Sequence, residues 1–452
     1  MNLYNEASQM KDIESALKNK QIEPFRHLFL ELHPYNQAQF FEKQKYDQRL
    51  QVYYYLSPEE VAVILEHIDA DDTDPYFSEM EVTFAADVFA KMAVDDAVDI
   101  LNEFDKDKVA SFLTIMDEEA ANEIKHLLHY EEKTAGSIMT TEYVAFFQKQ
   151  KVHEAMQELK GVAPSAEMIY YLYVVDENKK LTGVLSLRDL IIAQDDITIG
   201  EVMDEQVVSV SAGRDQEEVA QMMRDYNFLA VPVVDFQNHL LGIITVDDIL
   251  DVIDEEASDD YSKLAAVVDV QKPDDSPVQA AKKRLPWLII LLFLGMFTAS
   301  LIGRFEETLG KLPYLAMFIP LIAGMAGNTG TQSLAVAVRG LATGDYGGQG
   351  KVHLMIKEAT TGLITGSTCG VLIMVVIYFW KGELFLGMLV GIAILATLTV
   401  ATLSGSVIPI IMDRLKIDPA VASGPFITTI NDIISIMIYF GIATAFMGLL
   451  LQ

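Results

Sequence analysis

One cysteine stands in the whole chain, Cys369, and it falls inside an apolar stretch. A single thiol excludes a disulfide framework and a cysteine-rich metal site. The chain also lacks a G-x-x-x-x-G-K-[ST] phosphate loop and any nucleophile with a base at readable spacing. Those absences argue against an ATP-driven pump and against an enzyme. The first residues, MNLYNEASQMKDIES, carry no apolar core of the kind a removable leader needs, so no cleaved leader is expected. Basic residues are scarce: 33 Lys and Arg stand against 65 Asp and Glu, for a net charge of -32. An acidic surface repels nucleic acid and anionic lipid and attracts cations, so no nucleic-acid partner is expected.

The imbalance is uneven. Only eight of the 65 acidic residues, and eleven of the 33 basic ones, lie beyond residue 281. The front is strongly acidic and the rest slightly basic, which marks two physical environments in a chain long enough for two or three domains.

Beyond residue 281, five segments are nearly free of charge: 285–303, 312–338, 359–380, 384–412 and 419–452. Crossing a bilayer as a helix takes roughly 20 such residues, and backbone groups in lipid must pair internally, so five transmembrane helices are expected. Lysines and arginines choose the orientation. Lys282, Lys283, Arg284, Arg339, Lys351, Lys357, Arg414 and Lys416 fall on one side, and Arg304, Lys311 and Lys381 on the other. That places the N-terminus in the cytosol and the C-terminus outside, as in a bacterial inner membrane.

Two of these segments carry chemistry. The second contains Asn328, Thr329, Thr331, Gln332 and Ser333, with Gly324, Gly327 and Gly330 to let another backbone approach. The fifth contains Asp432, and a carboxylate at membrane depth is costly enough to mark a functional site. Taking Val338 and Pro419 as the cytosolic ends, Asn328 and Asp432 both lie roughly 15–20 Å deep at about 1.5 Å per residue. They can meet at one level of a pore. One carboxylate with amides, hydroxyls and carbonyls is a hard, oxygen-only environment. Hydrated Mg2+ suits it, since Mg2+ keeps waters and uses few carboxylates. Composition does not separate Mg2+ from Ca2+, Mn2+ or Co2+.

The front half repeats. Residues 56–128 recur every twelve positions, with frames opening at Leu56, Ile68, Met80, Met92, Phe104 and Met116. Ser57, Asp69, Asp105 and Asp117 stand second in their frames and suit helix N-caps. The pattern predicts a stack of short helices, a small solenoid. Residues 134–257 hold a second, longer repeat: SIMTTEYVAF aligns with EVMDEQVVSV, and LYVVDENKKLTGVLSLRDLI with VPVVDFQNHLLGIITVDDIL. Each copy reads strand, helix, paired strands, helix. The endings Gly183–Asp189 and Gly242–Asp248 share a G-h-h-[ST]-x-x-D pattern and resemble a tandem CBS (cystathionine-beta-synthase-type) pair. Ser186 and Asp189 in that pattern suit a nucleotide, with Tyr171, Arg188 and Phe228 nearby. Next, Asp248, Asp251, Asp254, Glu255, Glu256, Asp259 and Asp260 place like charges three or four apart, a helix that wants bound cations. Pro273 and Pro277 break the segment before the first crossing.

The order of these parts resembles the MgtE family of magnesium channels across essentially the whole chain. The resemblance rests on GNTGTQS at 327–333, the IND at 430–432 ahead of a glycine-poor apolar run, and the CBS repeat with its acidic tail. It implies a multidomain fold: an all-α superhelical solenoid at 1–131, α/β tandem CBS domains at 132–257 (132–196 and 197–257), a connecting helix at 258–281, and an all-α five-helix transmembrane domain at 282–452. It implies a homodimer in the lipid bilayer. Asp432 would be the ion-selecting carboxylate, supplied twice by the dimer, with Asn328 and Thr331 beside it. Asp95, Asp96, Glu217, Asp248, Asp251, Glu255, Glu256, Asp259 and Asp260 match positions of regulatory Mg2+ sites. Asn227 departs from relatives that have Asp there. The CBS residues Tyr171, Ser186, Arg188, Asp189 and Phe228 would take ATP or another adenine nucleotide. Two rival readings stay open: a carrier in which Asp432 exchanges a proton for the cation, and a CBS sensor whose membrane half is only an anchor.

Overall fold

The computed structural model describes residues 3–268, 276–343 and 350–450, and the chain divides into two compact units, Met1–Val252 and Ile253–Gln452. The expected break at Pro273 lies outside the described residues.

The amino-terminal unit opens with ten short helices. These are α1 (Leu3–Lys18), α2 (Ile22–Leu30), α3 (Pro34–Glu42), α4 (Tyr46–Tyr55) and α5 (Pro58–Leu65). After a 3-10 turn follow α6 (Asp74–Glu79), α7 (Val82–Phe89), α8 (Val94–Asn102), α9 (Lys106–Ile115) and α10 (Glu118–Leu127). The twelve-residue frame is visible in them. Its opening residues Leu56, Ile68, Met92, Phe104 and Met116 are buried, and Met80 is half-buried. The residue after each is where a helix starts. Ser57 caps α5 in a reciprocal box with Glu60, and the Asp117 carboxylate accepts the N–H groups of Glu119 and Ala120. Capping satisfies donors that no helical partner reaches. From α3 onward several helices pack on the next but one, α3 on α5, α5 on α7, α7 on α9 and α8 on α10, and the rings of Phe77 and Phe89 stack 4.2 Å apart.

The two longer repeats fold alike. In the first, β1 (Tyr143–Phe147), α11 (Val152–Val162), β2 (Met168–Val175), β3 (Leu181–Ser186) and α12 (Leu187–Ile192) make a sheet of order β1-β2-β3. In the second, β4 (Val210–Ser211), α13 (Gln216–Tyr226), β5 (Ala230–Val234), β6 (Leu240–Thr245) and α14 (Val246–Leu264) repeat it as β4-β5-β6. The first pair in each sheet is parallel and the second antiparallel, with Tyr171 opposite Ser186. The second copy shares one hydrophobic core with the short helices, through Val219, Met223, Val231, Val233 and Ile249. That shared core carries α8 toward the start of α14.

The carboxy-terminal unit is helical: α15 (Pro277–Gly303), α16 (Glu306–Lys311), α17 (Ile319–Ala342), α18 (Gly350–Lys381), α19 (Leu384–Arg414), α20 (Gly424–Ala445) and α21 (Met447–Leu450). Four of them, α15, α18, α19 and α20, are long and apolar enough to cross a membrane. The fifth expected span, α17, has 24 residues, but its polar row 328–333 dilutes its hydropathy. Two expected boundaries move. Residues Pro313–Phe318 form a 3-10 segment before α17, and Pro419–Val421 another before α20. The fifth α-helix therefore begins at Gly424, not Pro419, because Asp418 caps the 3-10 turn through Ala420 N–H at 2.8 Å and the helix restarts at Gly424-Pro425. Depth counted from Pro419 is replaced by contacts between helices.

Those contacts are antiparallel for α17 and α20. The Tyr439 hydroxyl donates to Leu315 O at 2.9 Å, and Phe318 and Ile322 share a core with Ile436 and Phe440. At the opposite end Leu334 and Val338 share one with Ala420, Ala422 and Ile427.

Candidate ion pathway and regulatory carboxylates

Midway along that crossing, the polar row of α17 meets α20. Thr331 Oγ1 donates to Gly327 O at 2.9 Å and lies 3.3 Å from Thr428 Oγ1. Ser333 Oγ donates to Thr402 O of α19 at 2.7 Å. A methyl group on Gly330 would come within 1.9 Å of Asn431 Nδ2, and one on Gly405 within 2.3 Å of Gly330 O. Only a residue without Cβ lets the α17 and α19 backbones approach this closely, and lets the Asn431 side chain of α20 lie against Gly330. Asp432 is half-buried and Asn328 exposed within the single chain. The antiparallel register puts both beside the same stretch of the crossing, Gly327–Thr331 against Ile427–Asn431. Among the described residues, no three His, Cys, Asp or Glu side chains gather as ligands for a metal ion. One chain thus brings a single carboxylate, with hydroxyls and amides around it.

The residues expected at the end of the connecting helix are in the same unit. Lys263 Nζ lies 2.8 Å from Asp259 Oδ2 and 2.5 Å from Asp418 Oδ2, so an ammonium already sits between one of these carboxylates and Asp418, which precedes α20. Burial, then Asp418, pushes the Asp260 carboxyl up to about 6, against the pull of Lys263. Leu264 packs with Leu334 and Ile427.

In the amino-terminal unit, carboxylates crowd one another. Burial pushes the Asp95 carboxyl up to about 8, with Asp248 the next cause, and that of Asp96 up to about 9, with Asp95, Glu66 and Asp248 following. Asp248 is pushed up to about 6 by burial, although Thr245 holds it through N–H and hydroxyl donors. Glu66, Glu142 and Glu167 are raised for the same first reason. The Asp95 Oδ1 atom is buried with no hydrogen-bond partner. Hard carboxylate oxygens, one of them orphaned, are the donor type that suits a divalent cation such as Mg2+, although among the described residues no three of them converge as ligands in this arrangement. Of these crowded carboxylates, Asp95, Asp96 and Asp248 are among those the resemblance implies, whereas Glu66, Glu142 and Glu167 are not. Glu66 ends a repeat frame like any solvated helix residue, and Glu142 and Glu167 meet through a sheet-edge backbone bond, Glu167 N–H to Glu142 O at 2.8 Å. Glu217 stands in the first turn of α13, where its N–H donates to Asp215 at 2.9 Å. Asp251, Glu255 and Glu256 all lie on α14.

The nucleotide candidates divide between the two copies. Ser186 caps α12, accepting Asp189 N–H at 3.1 Å and donating to Asp189 Oδ2 at 2.6 Å. Tyr171, opposite Ser186, and Arg188 belong to this first copy. Phe228 belongs to the second, its ring stacked on Tyr226 at 5.3 Å.

Apolar helices long enough to span a bilayer, a lone carboxylate against a polar helix, and a paired strand–helix repeat in an acidic unit describe a membrane transporter of cations. The comparisons agree. Residues 319–442 match the family described as Divalent cation transporter, 32–133 the MgtE intracellular N domain, and 135–196 and 199–255 the CBS domain. The chain is 52% identical over 98% of its length to the magnesium transporter MgtE of Enterococcus faecalis, covering 99% of that protein. It is 36% identical over 95% of its length to that of Thermus thermophilus, covering 97% of it. Two solved structures resemble it. The soluble part of a magnesium transporter is 50% identical with a TM-score of 0.54, covering 56% of this chain and 99% of that one. The cytosolic domain of the Mg2+ channel MgtE in complex with ATP is 36% identical with a TM-score of 0.52, covering 54% and 99%. The chain belongs to the MgtE family of magnesium transporters, membrane proteins that are not enzymes.

Proposed function

We propose that this chain forms a homodimeric Mg2+ channel whose pore is built by five transmembrane helices and closed by cytosolic Mg2+. The observation that carries the pore assignment is Asp432, half-buried on α20 beside the polar row of α17. In the dimer two such carboxylates, with Asn328 and Thr331, hold a hydrated ion. A single carboxylate per chain binds firmly enough to select and loosely enough to release. The N-terminus is cytosolic and the C-terminus external, with domains at 1–131, 132–257, 258–281 and 282–452.

Gating follows from charge. Asp95, Asp96 and Asp248 would hold regulatory Mg2+, with Glu217, Asp251, Glu255, Glu256, Asp259 and Asp260 contributing as the helix and the dimer close. Two unit charges ~4 Å apart interact by roughly 4 kcal/mol at an effective dielectric of 20. Once ionised and unscreened, these carboxylates push their elements apart; Mg2+ displaces their protons, bridges them and draws them together, and the connecting helix shuts the pore. A relative's cytosolic domain was solved with ATP, and Tyr171, Ser186, Arg188, Asp189 and Phe228 form the corresponding adenine-nucleotide site here.

The deciding experiment is Mg2+ influx into liposomes holding the purified protein, wild type against Asp432→Ala. Influx in the wild type and none in the variant is expected. Equal influx would remove Asp432 from the pathway. Influx that follows a pH gradient rather than membrane potential would make the protein a proton-coupled carrier.

A further inference from the structure

We infer that Asn431, the neighbour of Asp432, is a positioning residue that fixes the selectivity of the pathway by pinning α20 to α17 and α19. The inference deepens the pore reading above and rests on it.

Asn431 is 1% exposed, the deepest-set amide side chain of the carboxy-terminal unit. It lies between Ser404 of α19 and Gly330 of α17. Ser404 Oγ is 2.9 Å from Ala401 O and also within bonding reach of the Asn431 amide. A hydroxyl carries one proton, so Ser404 cannot donate to both. A single arrangement satisfies the group: Asn431 NH2 donates to Ser404 Oγ, which donates to Ala401 O. The amide oxygen then faces the Gly330 backbone, and both the Ser404 hydroxyl and the Asn431 nitrogen have an acceptor. With Ser404 Oγ donating to Asn431 Oδ1 instead, Nδ2 faces Gly330, buried without a partner, which is costly, and exchanging the two amide ends removes that cost.

One turn on, Ser435 is fully buried and its hydroxyl donates to Asp432 O at 2.9 Å. Residues 431 and 435 are therefore the buried face of α20, with Asn431 its tie to α19, and Asp432 must project from the adjacent face. The rotation and depth of Asp432 relative to the α17 row are set by the amide. Mg2+ tolerates misplacement of its ligands poorly because it demands near-ideal octahedral geometry, whereas Ca2+ accepts looser sites. Losing the anchor should reduce discrimination before it reduces flux.

The test compares Mg2+ and Ca2+ influx into liposomes for the full chain carrying Asn431→Leu, which keeps side-chain volume but removes both polar ends. The Mg2+/Ca2+ influx ratio should fall by about tenfold, since small misplacements of reacting groups carry effects of that order or larger. Melting temperature and dimer elution should stay close to wild type. An unchanged ratio would overturn the proposal. If Asn431→Leu does not fold, the pair Gly330→Ala with Asn431→Ala replaces it, because the added methyl occupies the space the amide vacates. Recovered folding with a lowered ratio supports the proposal, and recovered folding with a wild-type ratio reduces Asn431 to packing and overturns it. Asp432→Asn is measured alongside. If it conducts like wild type the pore reading itself has failed; if it is silent while Asn431→Leu keeps its ratio, only the positioning role has.

Discussion

Asp95 and Asp432 are both carboxylates withdrawn from bulk water, yet their neighbours differ entirely. Asp95 sits among Asp96, Asp248 and Glu167, whereas Asp432 has hydroxyls, amides and glycine backbone around its helix crossing. A crowd of carboxylates is unstable until a cation arrives, so it can store a conformational response. A solitary carboxylate can only pass an ion along. In the function proposed above, that difference separates sensing from conduction within one polypeptide.

The largest effect should distinguish the two directly. Asp432→Ala should drop Mg2+ influx to the level of empty liposomes. The triple variant Asp95→Asn, Asp96→Asn, Asp248→Asn should keep full influx and raise the Mg2+ concentration that halves it by about tenfold, a coupling of ordinary allosteric size. Loss of influx in a folded triple variant would collapse the distinction.

A second measurement sharpens it through pH. Asp95, Asp96 and Asp248 hold their protons to about 8, 9 and 6 in the folded chain, against roughly 3.9 for an unperturbed Asp. The folded state therefore binds more protons than the unfolded one across that window. Without divalent cations, stability present near pH 4 should be lost progressively as pH rises toward 9. Added Mg2+ should restore more at pH 8 than at pH 6. Thermal melting of the full chain checks this, and the triple Asn variant should flatten the profile.

Smaller effects follow. Lys263→Ala should cost at most about 1 kcal/mol, because both partners of its pair with Asp418 remain about one-third exposed and solvent screens them. That loss should shrink further in high salt. Ser57→Ala should cost about 1 kcal/mol through its lost cap on α5, with no change in Mg2+ response. Each is read by denaturant titration.

Much of the architecture was legible because it is periodic. The twelve-residue frame, the duplicated strand–helix–strand–strand–helix unit and the apolar runs each write their structure into residue spacing. Contacts between distant segments leave no such trace. Nothing in IND distinguishes Asn431, a buried junction between three helices, from a solvated amide. Nothing in SKL shows that Lys263 reaches Asp418, 155 residues away. The breaks before α17 and α20 were missed for a different reason: apolar composition continues through Pro313–Phe318 and Pro419–Val421 while the hydrogen-bond pattern does not.

The frame that places Leu56, Ile68, Met92, Phe104 and Met116 in the core also limits how this half of the protein can change length. Deleting one residue between two frames would turn every later helix off the apolar seam and strand its cap. Removing or adding twelve would leave the seam in phase. Length variation among relatives in this region should therefore be quantised, in whole helical steps, even where side chains drift freely.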